Sequence, residues 1–450
     1  MNNKEQSIKI IKTIQSKGFE AVWAGGCVRD TILNLEPNDY DIATNATPND
    51  IERIFDNSKF DYKFIINKHC NGNRFGVSLI KGIEVATFRT DGKYEDGRRP
   101  EGVEFCDMEH DAARRDFTCN ALYMDPVENT IYDFVNGIND INNKKLKFVG
   151  KAIDRINEDY LRMLRFVRFL AKFDFDYDYD DIDTIQNNAE NIKKLSGEVI
   201  LMELVKMAVL FPDKFAKCIV LMKMTNLLQY IFPSVDRLDT IEQDPINHPE
   251  GVVWEHTILT VSKLQKDIKL ETKFAALFHD TGKYQTKGFN KEKNKITFYG
   301  HEDFSVENTK EELLNLKASN DFIDSIVSLI SNHMRFRLVK EMKKSKLIKF
   351  FALDNFNELM KLHKADCLGS DNDLEYYNFC TEKINELKDE NSNSVTLPKR
   401  LINGDDLISI GYIPGKIFKD ILDTVFDLQL EGSINTKEDA IQFILDKYHL

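Results

Sequence analysis

Six residues of the kinds that bind transition metals follow one another through the back half of the chain. In order, they are His256, His279, Asp280, His301, His333 and Asp366. Imidazole nitrogens combined with carboxylate oxygens suit Mn²⁺, Ni²⁺, Co²⁺ or iron better than Mg²⁺. A single His-Asp pair would mean little, but the ordered set predicts a transition-metal site.

The front half holds a second acidic group, of a kind that suits Mg²⁺. Asp39 and Asp41 are two residues apart, so on a strand both carboxylates would face the same way. Mg²⁺ favours one or two carboxylates together with substrate phosphates. A lone pair of this kind is more often a surface turn, but here Gly25 and Gly26 stand just before a predicted helix, where backbone N–H groups can bind a triphosphate. Glu84, on another predicted strand, could supply a third carboxylate.

Basic residues near both groups are candidates for contacts with phosphate. Arg89, Arg98 and Arg99 lie downstream of the front carboxylates, and Lys283 follows His279 by four residues, on what we predict to be one helix face. Four more basic residues share a face of another predicted helix. They are Arg162, Arg165, Arg168 and Lys172. The net charge of −13 argues against indiscriminate nucleic-acid binding, because the overall field repels phosphate, but it does not exclude a local basic groove.

The remaining histidines are expected to have local roles. We expect His248 in a turn beside the metal-ligand residues. The others are expected on the surface or in local hydrogen bonds, namely His69, His110, His363 and His449.

The composition is that of an ordinary globular protein, with 450 residues, of which 42% are hydrophobic and 30% charged. This length predicts about three domains. No apolar run reaches the roughly 20 residues that a membrane helix needs, and the first residues indicate an amphipathic helix rather than a secretion signal. The seven cysteines are scattered without a CxxC pair, which predicts reduced thiols and a cytoplasmic location.

Hydrophobic patterns divide the chain into an α/β head and a helical remainder. Short apolar strands alternate with helix-like segments at first, and apolar residues at helical spacing follow. A turn-rich stretch marks a boundary near 235–250, and residues 385–398 indicate a linker. The predicted domains are residues 1–150 (head), 151–235 (helical neck and body), 236–380 (the metal-ligand residues) and 381–450 (helical tail).

Five segments of the front half resemble, in this order, the class II tRNA nucleotidyltransferases, the CCA-adding enzymes that share an ancestor with bacterial poly(A) polymerases. The segments are GGCVRD, DYD, EVATFRTDGKYEDGRRPEGVEF, ARRDFTCNALYMDP and EDYLRMLRFVRF. The resemblance implies an α/β nucleotidyltransferase head with a mixed sheet of the polymerase-beta type, followed by all-α neck and body, HD and tail domains. It also implies that Asp39 and Asp41 bind the catalytic Mg²⁺, with Glu84 as a further catalytic residue.

The same resemblance implies a set of nucleotide-binding residues. They are Gly25, Gly26 and Arg29 for the triphosphate, Arg115 and Asp116 for the ribose, Asp159 and Arg162 for the base, and Asn120, Arg165 and Arg168. A carboxylate offers only acceptors and a guanidinium only donors, so Asp159 and Arg162, expected on one helix face, could read the edge of CTP or ATP. In isolation this pair would more often be a plain intrahelical salt bridge. Residues 90–100 would form a flexible loop that helps to shift specificity from C to A.

The back half resembles the metal-dependent HD phosphohydrolases, through WEHTIL, FHDTGK and HKADCLG. The resemblance implies that one metal is bound by His256, by His279 and Asp280 adjacent on one helix, and by Asp366. His301 and His333 could complete a second metal position or bind phosphate. A degenerate HD fold with a purely structural role is the alternative, although no ligand type is missing. The ending LINGDDLISIGYIPGKIFKDIL resembles that of CCA-adding enzymes with a fused HD domain, which favours tRNA as the substrate.

The sequence therefore predicts template-independent addition of C, C and A to the tRNA 3′ end from CTP and ATP. It also predicts a phosphohydrolase activity on 2′,3′-cyclic phosphates or 2′-phosphates at RNA ends. The alternatives within the transferases are a poly(A) polymerase and a partial enzyme that adds only CC or only A. The alternatives from other classes are an HD phosphohydrolase whose head merely binds RNA and, with little support, an RNA chaperone.

Overall fold

The computed structural model describes residues 2–55, 62–64, 77–92, 102–244, 248–292, 294–388 and 395–448. The chain forms two compact units. The first comprises Met1–Asp236 with Asn315–Lys317, and the second comprises Arg237–Leu314 with Ala318–Leu450. The finer division into four domains remains a prediction. Among the helices in the described ranges, none combines the length and apolar character that crossing a membrane requires.

The first unit is built on a mixed sheet, as the sequence predicts. Its strands are Ala21–Ala24 (β1), Ile42–Thr44 (β2), Tyr62–Phe64 (β3), Val77–Ile80 (β4), Ile83–Thr87 (β5), Leu122–Asp125 (β8) and Thr130–Asp133 (β9), and Arg89–Asp91 (β6) with Val103–Phe105 (β7) form a separate hairpin. The strand order is β3-β4-β5-β2-β1-β8-β9. Strands β2 and β5 run parallel, and the other neighbouring pairs run antiparallel.

The helices of the first unit precede, interrupt and follow this sheet. They are Asn3–Gln15 (α1), Gly26–Ile32 (α2), Pro48–Phe55 (α3), Met108–Ala113 (α4), Gly137–Asn142 (α5), Ala152–Glu158 (α6), Leu161–Phe173 (α7), Tyr179–Asn188 (α8), Gly197–Ala208 (α9), Pro212–Met224 (α10), Leu228–Ile231 (α11) and Pro233–Asp236 (α12), with 3₁₀ turns at Thr118–Asn120 and Ala189–Lys194. Helix α1 is the predicted amphipathic helix. Its buried residues Ile10, Ile11 and Ile14 recur at helical spacing, and the indole of Trp23 on β1 donates to Ser7 Oγ at 2.8 Å.

The core of the head lies where β1, β2 and β8 meet helix α4. All four residues of β1 are buried, as in a strand that is covered on both faces. The buried cluster comprises Val22, Ala24, Ala43, Phe88, Met108, Ala112, Ala121, Tyr123 and Val149. This core fixes the ends of β1 and β2, from which the candidate catalytic residues emerge.

The second unit is helical except for one short hairpin. Its helices are Val253–Lys263 (α13), Leu270–Phe278 (α14), Lys283–Thr286 (α15), His301–Asn315 (α16), Asn320–Asn332 (α17), Lys344–Phe351 (α18), Phe356–Leu368 (α19), Glu375–Leu387 (α20), Gly404–Ser409 (α21), Lys416–Glu431 (α22) and Lys437–Lys447 (α23), with 3₁₀ turns at Arg237–Thr240 and His333–Leu338. The hairpin pairs Gly288–Asn290 (β10) with Lys295–Thr297 (β11). The back half is thus mainly helical, as expected, and this hairpin of two three-residue strands is too short for alternation in the sequence to reveal.

Two glycines bring distant helices of the second unit into close contact. A Cβ on Gly282 would lie 2.0 Å from the carbonyl oxygen of His301, at the start of α16. A Cβ on Gly369, after α19, would lie 2.6 Å from Thr260 Oγ1 on α13. Only glycine allows these approaches, and both occur beside predicted metal ligands.

Candidate active site and metal centre

A glycine turn follows β1 in the head. Gly25 has a φ of +69°, in the left-handed region, and its N–H donates to the carbonyl oxygen of Leu122 at 2.8 Å. A Cβ at this position would lie 2.9 Å from Arg115 Nη1 and 3.3 Å from the carbonyl oxygen of Asn120. Both the backbone conformation and the space therefore demand glycine here, and the turn lies directly against Arg115.

The candidate magnesium ligands Asp39 and Asp41 lie next to this turn. They precede β2 rather than belonging to it, so their expected place on a strand is wrong by a short distance. The alternation nevertheless persists, because both aspartates are exposed while Tyr40 between them is buried, with its ring 4.9 Å from that of Trp23. The carbonyl oxygen of Asp41 accepts a hydrogen bond from the N–H of Ala24 at 3.0 Å, which holds the pair beside the end of β1.

The third carboxylate joins them through the sheet register. Ile42 on β2 pairs with Val85 on β5 in a parallel ladder, which places the preceding residues Asp41 and Glu84 side by side. The surrounding protein displaces water from the Asp41 carboxylate. This loss of hydration, together with the negative charges of Glu84 and Asp39, raises the pKa of Asp41 to about 6, and the positive charge of Arg115 opposes the rise. The structure thus brings together three carboxylates that repel one another, a donor set that fits a divalent cation.

Three expected nucleotide-binding residues form a buried chain of hydrogen bonds. Arg29 Nη1 donates to Asn120 Oδ1 at 2.5 Å, and Asn120 Nδ2 donates to Asp116 Oδ1 at 3.1 Å. Burial would raise the pKa of Asp116, but the guanidinium of Arg165, whose Nε lies 2.8 Å from Asp116 Oδ2, holds it below its usual range. Arg29 also donates to Asp30 and is only 5% exposed. These contacts favour an indirect role for Arg29, through Asn120, over direct contact with a triphosphate.

The predicted base-reading pair is arranged differently from the expectation. Helix α6 ends at Glu158, Asp159 has extended backbone, and α7 begins at Leu161, so Asp159 and Arg162 do not share one helix face. The break has a local cause, because the carboxylate of Asp159 accepts a hydrogen bond from the N–H of Leu161 at 3.0 Å and so satisfies a free donor of the new helix. Arg162 forms its ion pair with Glu158 instead, and its Nη2 donates to the carbonyl oxygen of Arg114 at 3.0 Å.

Two further basic residues of α7 are also engaged. Arg168 Nε lies 2.5 Å from Oε1 of Glu203, a residue that is 1% exposed, and Arg165 is paired with Asp116 as described above. The predicted face of four basic side chains is therefore largely neutralised by acidic partners and is not a bare basic groove. Arg89 is paired with Asp91 at 3.4 Å. Residues 93–100 of the predicted loop, which include Arg98 and Arg99, lie outside the described residues.

In the second unit, the structure brings all six predicted metal ligands together. His256 Nε2 lies 3.2 Å from His279 Nε2 and 3.0 Å from Asp366 Oδ1. Asp280 Oδ2 lies 3.3 Å from His279 Nε2, while Asp280 Oδ1 lies 3.2 Å from His301 Nε2. The last residue, His333, has its Nε2 3.2 Å from that of His301. Asp280 is thereby shared by two groups, one with His256 and His279 and one with His301 and His333, and within each group the ligand atoms lie within 4.8 Å of one another.

The second ring nitrogen of each histidine explains why the first points inward. Each Nδ1 faces a backbone carbonyl oxygen, that of Gly369 for His256 (3.2 Å), Ala276 for His279 (2.9 Å), Phe298 for His301 (2.9 Å) and Ile330 for His333 (2.6 Å). A carbonyl only accepts, so we assign the hydrogen to Nδ1 and a lone pair to Nε2. Four inward Nε2 atoms beside two carboxylates form a donor set that fits a transition-metal ion.

The electrostatics of the cluster agree with a bound cation. Asp280 and Asp366 raise the pKa of His279 to about 10 even though burial opposes this shift. Burial, together with His301 and His279, lowers the pKa of His333 to about 3. Lys283 Nζ lies 2.6 Å from Asp280 Oδ2. Because α14 ends at Phe278 and α15 begins at Lys283, the expectations of one helix for His279 with Asp280 and of one helix face for His279 with Lys283 are wrong.

Sequence reasoning missed one residue beside this cluster, Glu250. Glu250 Oε1 lies 3.0 Å from His256 Nδ1 and 2.9 Å from His248 Nδ1. The sequence signal for Glu250 was its position in the short NHPEG segment immediately before α13, in which only a turn role for His248 was expected. Of the two expectations for His363, the local hydrogen bond is confirmed rather than the surface position. The residue is 7% exposed, its ring stacks on Phe336 at 3.9 Å, and its Nε2 and Nδ1 lie 3.7 and 3.8 Å from Cys367 Sγ. His69 and His449 lie outside the described residues.

Three segments of the chain match known protein families. Residues 21–147 match the poly A polymerase head domain, and residues 174–238 match a probable RNA- and SrmB-binding site of polymerase A. Residues 253–367 match the HD domain. The first match contains the front carboxylates, and the third contains all six residues of the back cluster.

Individual relatives point in the same direction. The chain is 36% identical over 260 residues to a CCA-adding enzyme of Staphylococcus aureus, a match that spans 57% of this chain and 62% of the relative's length. The fold is similar to that of the Bacillus stearothermophilus CCA-adding enzyme in complex with CTP (TM-score 0.72, 23% identity, 99% of this chain and 98% of that chain). It is also similar to that of the Thermotoga maritima CCA-adding enzyme complexed with tRNA-CCA (TM-score 0.58, 17% identity, 99% and 96%).

The expected fold class is thus confirmed, with a mixed-sheet head followed by a mainly helical remainder. The two candidate sites fall in separate matched domains of separate compact units. Along the chain, a match to the poly A polymerase head domain is followed by a match to a probable RNA- and SrmB-binding site and by a match to the HD domain, and the resemblance of the chain to the CCA-adding enzymes is confirmed.

Proposed function

We propose that this protein adds C, C and A to the 3′ end of tRNA without a template, using CTP and ATP. The observation that carries the proposal is the meeting of Asp39, Asp41 and Glu84 beside the Gly25 turn, inside the segment that matches the poly A polymerase head. Two similar structures support CTP and tRNA as substrates, because one is a complex with CTP and the other is a complex with tRNA-CCA.

The chemistry is an in-line attack of the tRNA 3′ hydroxyl on the α-phosphate of the nucleotide, with pyrophosphate leaving. Bound at Asp39, Asp41 and Glu84, Mg²⁺ would supply Lewis-acid stabilisation of the charge that develops on phosphate. Gly25 lets the backbone approach the triphosphate because no side chain occupies that space. Arg115, against the same turn, contributes positive charge next to the carboxylates.

Base selection is assigned to Asp159 and Arg162. The ion pair with Glu158 and the carbonyl oxygen of Arg114 hold the Arg162 guanidinium in a fixed orientation. With the Asp159 carboxylate as acceptor and the fixed Arg162 guanidinium as donor, the two residues together would discriminate the edges of C and A from those of G and U.

The decisive assay incubates the protein with Mg²⁺ and a tRNA that ends at the discriminator base, offering CTP alone, ATP alone and both together. Products are resolved on a sequencing gel. We expect two added residues with CTP alone, none with ATP alone, and three with both. Two residues at most with both nucleotides would identify a CC-adding enzyme, and a long ladder with ATP alone would identify a poly(A) polymerase. No addition under any condition would refute the proposal.

We further propose a phosphohydrolase activity for the back site, on 2′,3′-cyclic phosphates or 2′-phosphates at RNA ends. The convergence of four Nε2 atoms and two carboxylates supports it, with Ni²⁺, Mn²⁺ or Co²⁺ as the favoured ion. Lys283 and the shared carboxylate of Asp280 offer groups that can orient a phosphate and a water molecule. Two assays check the activity, each with every metal after chelation. One follows ring opening of nucleoside 2′,3′-cyclic monophosphate to the 2′- or 3′-monophosphate, and the other follows release of inorganic phosphate from a nucleoside 2′-monophosphate. Absence of turnover with every metal would favour a structural HD domain.

A further inference from the structure

Asp111 lies outside every set of residues expected from the sequence, yet its carboxylate carries a dense set of charged contacts. The residue belongs to the short helix α4 and is 2% exposed. Burial would raise the pKa of Asp111, but Arg115, Arg114 and the hydroxyl of Tyr123 lower it overall, so the carboxylate is ionised. A buried ionised group of this kind persists only where its partners are fixed.

One oxygen of this carboxylate holds the base of the β6-β7 hairpin. Asp111 Oδ1 accepts hydrogen bonds from the N–H of Arg89 at 3.2 Å, and from Arg114 Nε and Nη2 at 2.9 and 2.7 Å. Arg114 in turn donates to the carbonyl oxygen of Arg89 at 2.8 Å and to Asp91 Oδ2 at 3.4 Å. The first residues of β6 are thereby tied to α4.

The other oxygen holds the arginine that lies against the glycine turn. Asp111 Oδ2 accepts from Arg115 Nη2 at 3.0 Å, from Arg115 Nε at 3.3 Å and from the hydroxyl of Tyr123 at 2.6 Å. Tyr123 also supports Arg115 directly, because its hydroxyl lies 3.0 Å from Arg115 Nε and its ring centroid 4.9 Å from the guanidinium carbon. Arg115 Nη1 is the group that a Cβ on Gly25 would meet at 2.9 Å, and Arg115 lowers the pKa of Asp41.

We propose that Asp111 is a positioning residue for nucleotide addition, which fixes Arg115 beside the Gly25 turn and ties it to the β6-β7 hairpin. The inference rests on the proposed function, because Arg115 matters only if a nucleoside triphosphate binds at that turn. Oδ1 of Asp111 binds the first residue of the hairpin and Arg114, whereas Oδ2 binds Arg115 beside the glycine turn. A displacement of β6 would therefore also move Arg115, because both are hydrogen-bonded to the carboxylate of Asp111.

The test replaces Asp111 by Asn, which keeps the size of the side chain but removes its charge and turns an amide N–H₂ towards the arginines. KM and kcat are measured with CTP and with ATP, together with KM for tRNA. We expect KM for both nucleotides to rise at least about tenfold, because a hydrogen bond to a charged group is lost, while KM for tRNA stays unchanged. A purely structural residue would behave differently, since misfolding lowers the active fraction, and hence kcat, without moving KM for the nucleotides.

Two further variants keep the inference falsifiable. Glu109→Gln, an exposed acid on the same helix, serves as the matched control and should leave KM unchanged. Tyr123→Phe removes one hydroxyl from Asp111 Oδ2 and should raise KM for CTP roughly threefold or more. A folded Asp111→Asn protein with wild-type KM for nucleotides would overturn the inference and leave the proposed function intact. If Asp111→Asn does not fold, an unchanged KM in Tyr123→Phe overturns it instead. Wild-type protein that binds neither CTP nor ATP would overturn both.

Discussion

At the scale of single residues, the two sites differ in how they hold their charge. In the back site, each imidazole is oriented by a hydrogen bond between its Nδ1 and a backbone carbonyl oxygen, so that its Nε2 points into the cluster. The front site instead gathers carboxylates beside the glycine turn, where loss of hydration, and then the charges of Glu84 and Asp39, raise the pKa of Asp41. The first arrangement suits a tightly bound transition metal, and the second suits Mg²⁺ that arrives with a nucleotide.

Glu250 should contribute to metal affinity through His256. Its carboxylate lies 3.0 Å from His256 Nδ1, so it orients the ring and increases the basicity of Nε2. We expect Glu250→Gln to weaken Ni²⁺ or Mn²⁺ binding by about tenfold to a hundredfold, measured by calorimetric titration of the metal-free protein. Glu255→Gln, at an exposed position of α13, should bind metal as the wild type does. Equal affinities in the two variants would exclude this role.

The pKa of Asp41 predicts a pH-dependent effect on stability. Its folded value of about 6 exceeds the ordinary 3.8, so the folded state binds the proton more tightly than the unfolded state does. The group's contribution to stability is therefore fully present below pH 3.8 and is lost as pH rises through 6. In EDTA at pH 7.5, Asp41→Asn should raise Tm by on the order of 1–2 °C, and at pH 4 it should not. Thermal melts at both pH values check this, and the opposite trend would contradict the carboxylate cluster.

At the scale of elements, glycines set how closely helices approach the back site. Gly282→Ala should force α16 away from the end of α14, because the added Cβ would lie 2.0 Å from the carbonyl oxygen of His301. We expect a loss of more than about 2 kcal/mol in unfolding free energy together with weaker metal binding. Gly404→Ala is the matched control, since its Cβ would meet only Phe418 Cδ2 at 3.9 Å. Denaturant unfolding of both variants, with and without metal, checks the prediction, and equal stability would count against it.

Element types were largely predictable from the sequence, whereas partners across elements were not. The amphipathic α1 and the strand β1 follow from local apolar spacing. The break at Asp159 was missed, because a continuous apolar pattern runs through it and only one side-chain cap interrupts the helix. The set of six metal ligands was predictable as residue types in order. The roles of Asp111 and Glu250 were not, since each depends on partners brought close by the fold rather than by local spacing.

At the scale of the whole molecule, the chain carries two sets of ligands in two compact units. The front ligands lie in Met1–Asp236, and the back ligands lie in Arg237–Leu314 and Ala318–Leu450. The residues of each candidate set all lie within one unit. The two proposed activities should therefore be separable by mutation.

The most direct test of the central claim compares two double variants in both assays. Asp39→Ala with Asp41→Ala should abolish incorporation of CTP and ATP into tRNA and leave hydrolysis of 2′,3′-cyclic phosphate at the wild-type rate. His279→Ala with Asp280→Ala should abolish the hydrolysis and leave incorporation unchanged. Incorporation that survives loss of both front aspartates would contradict the account, because these two carboxylates are the proposed ligands of the catalytic Mg²⁺.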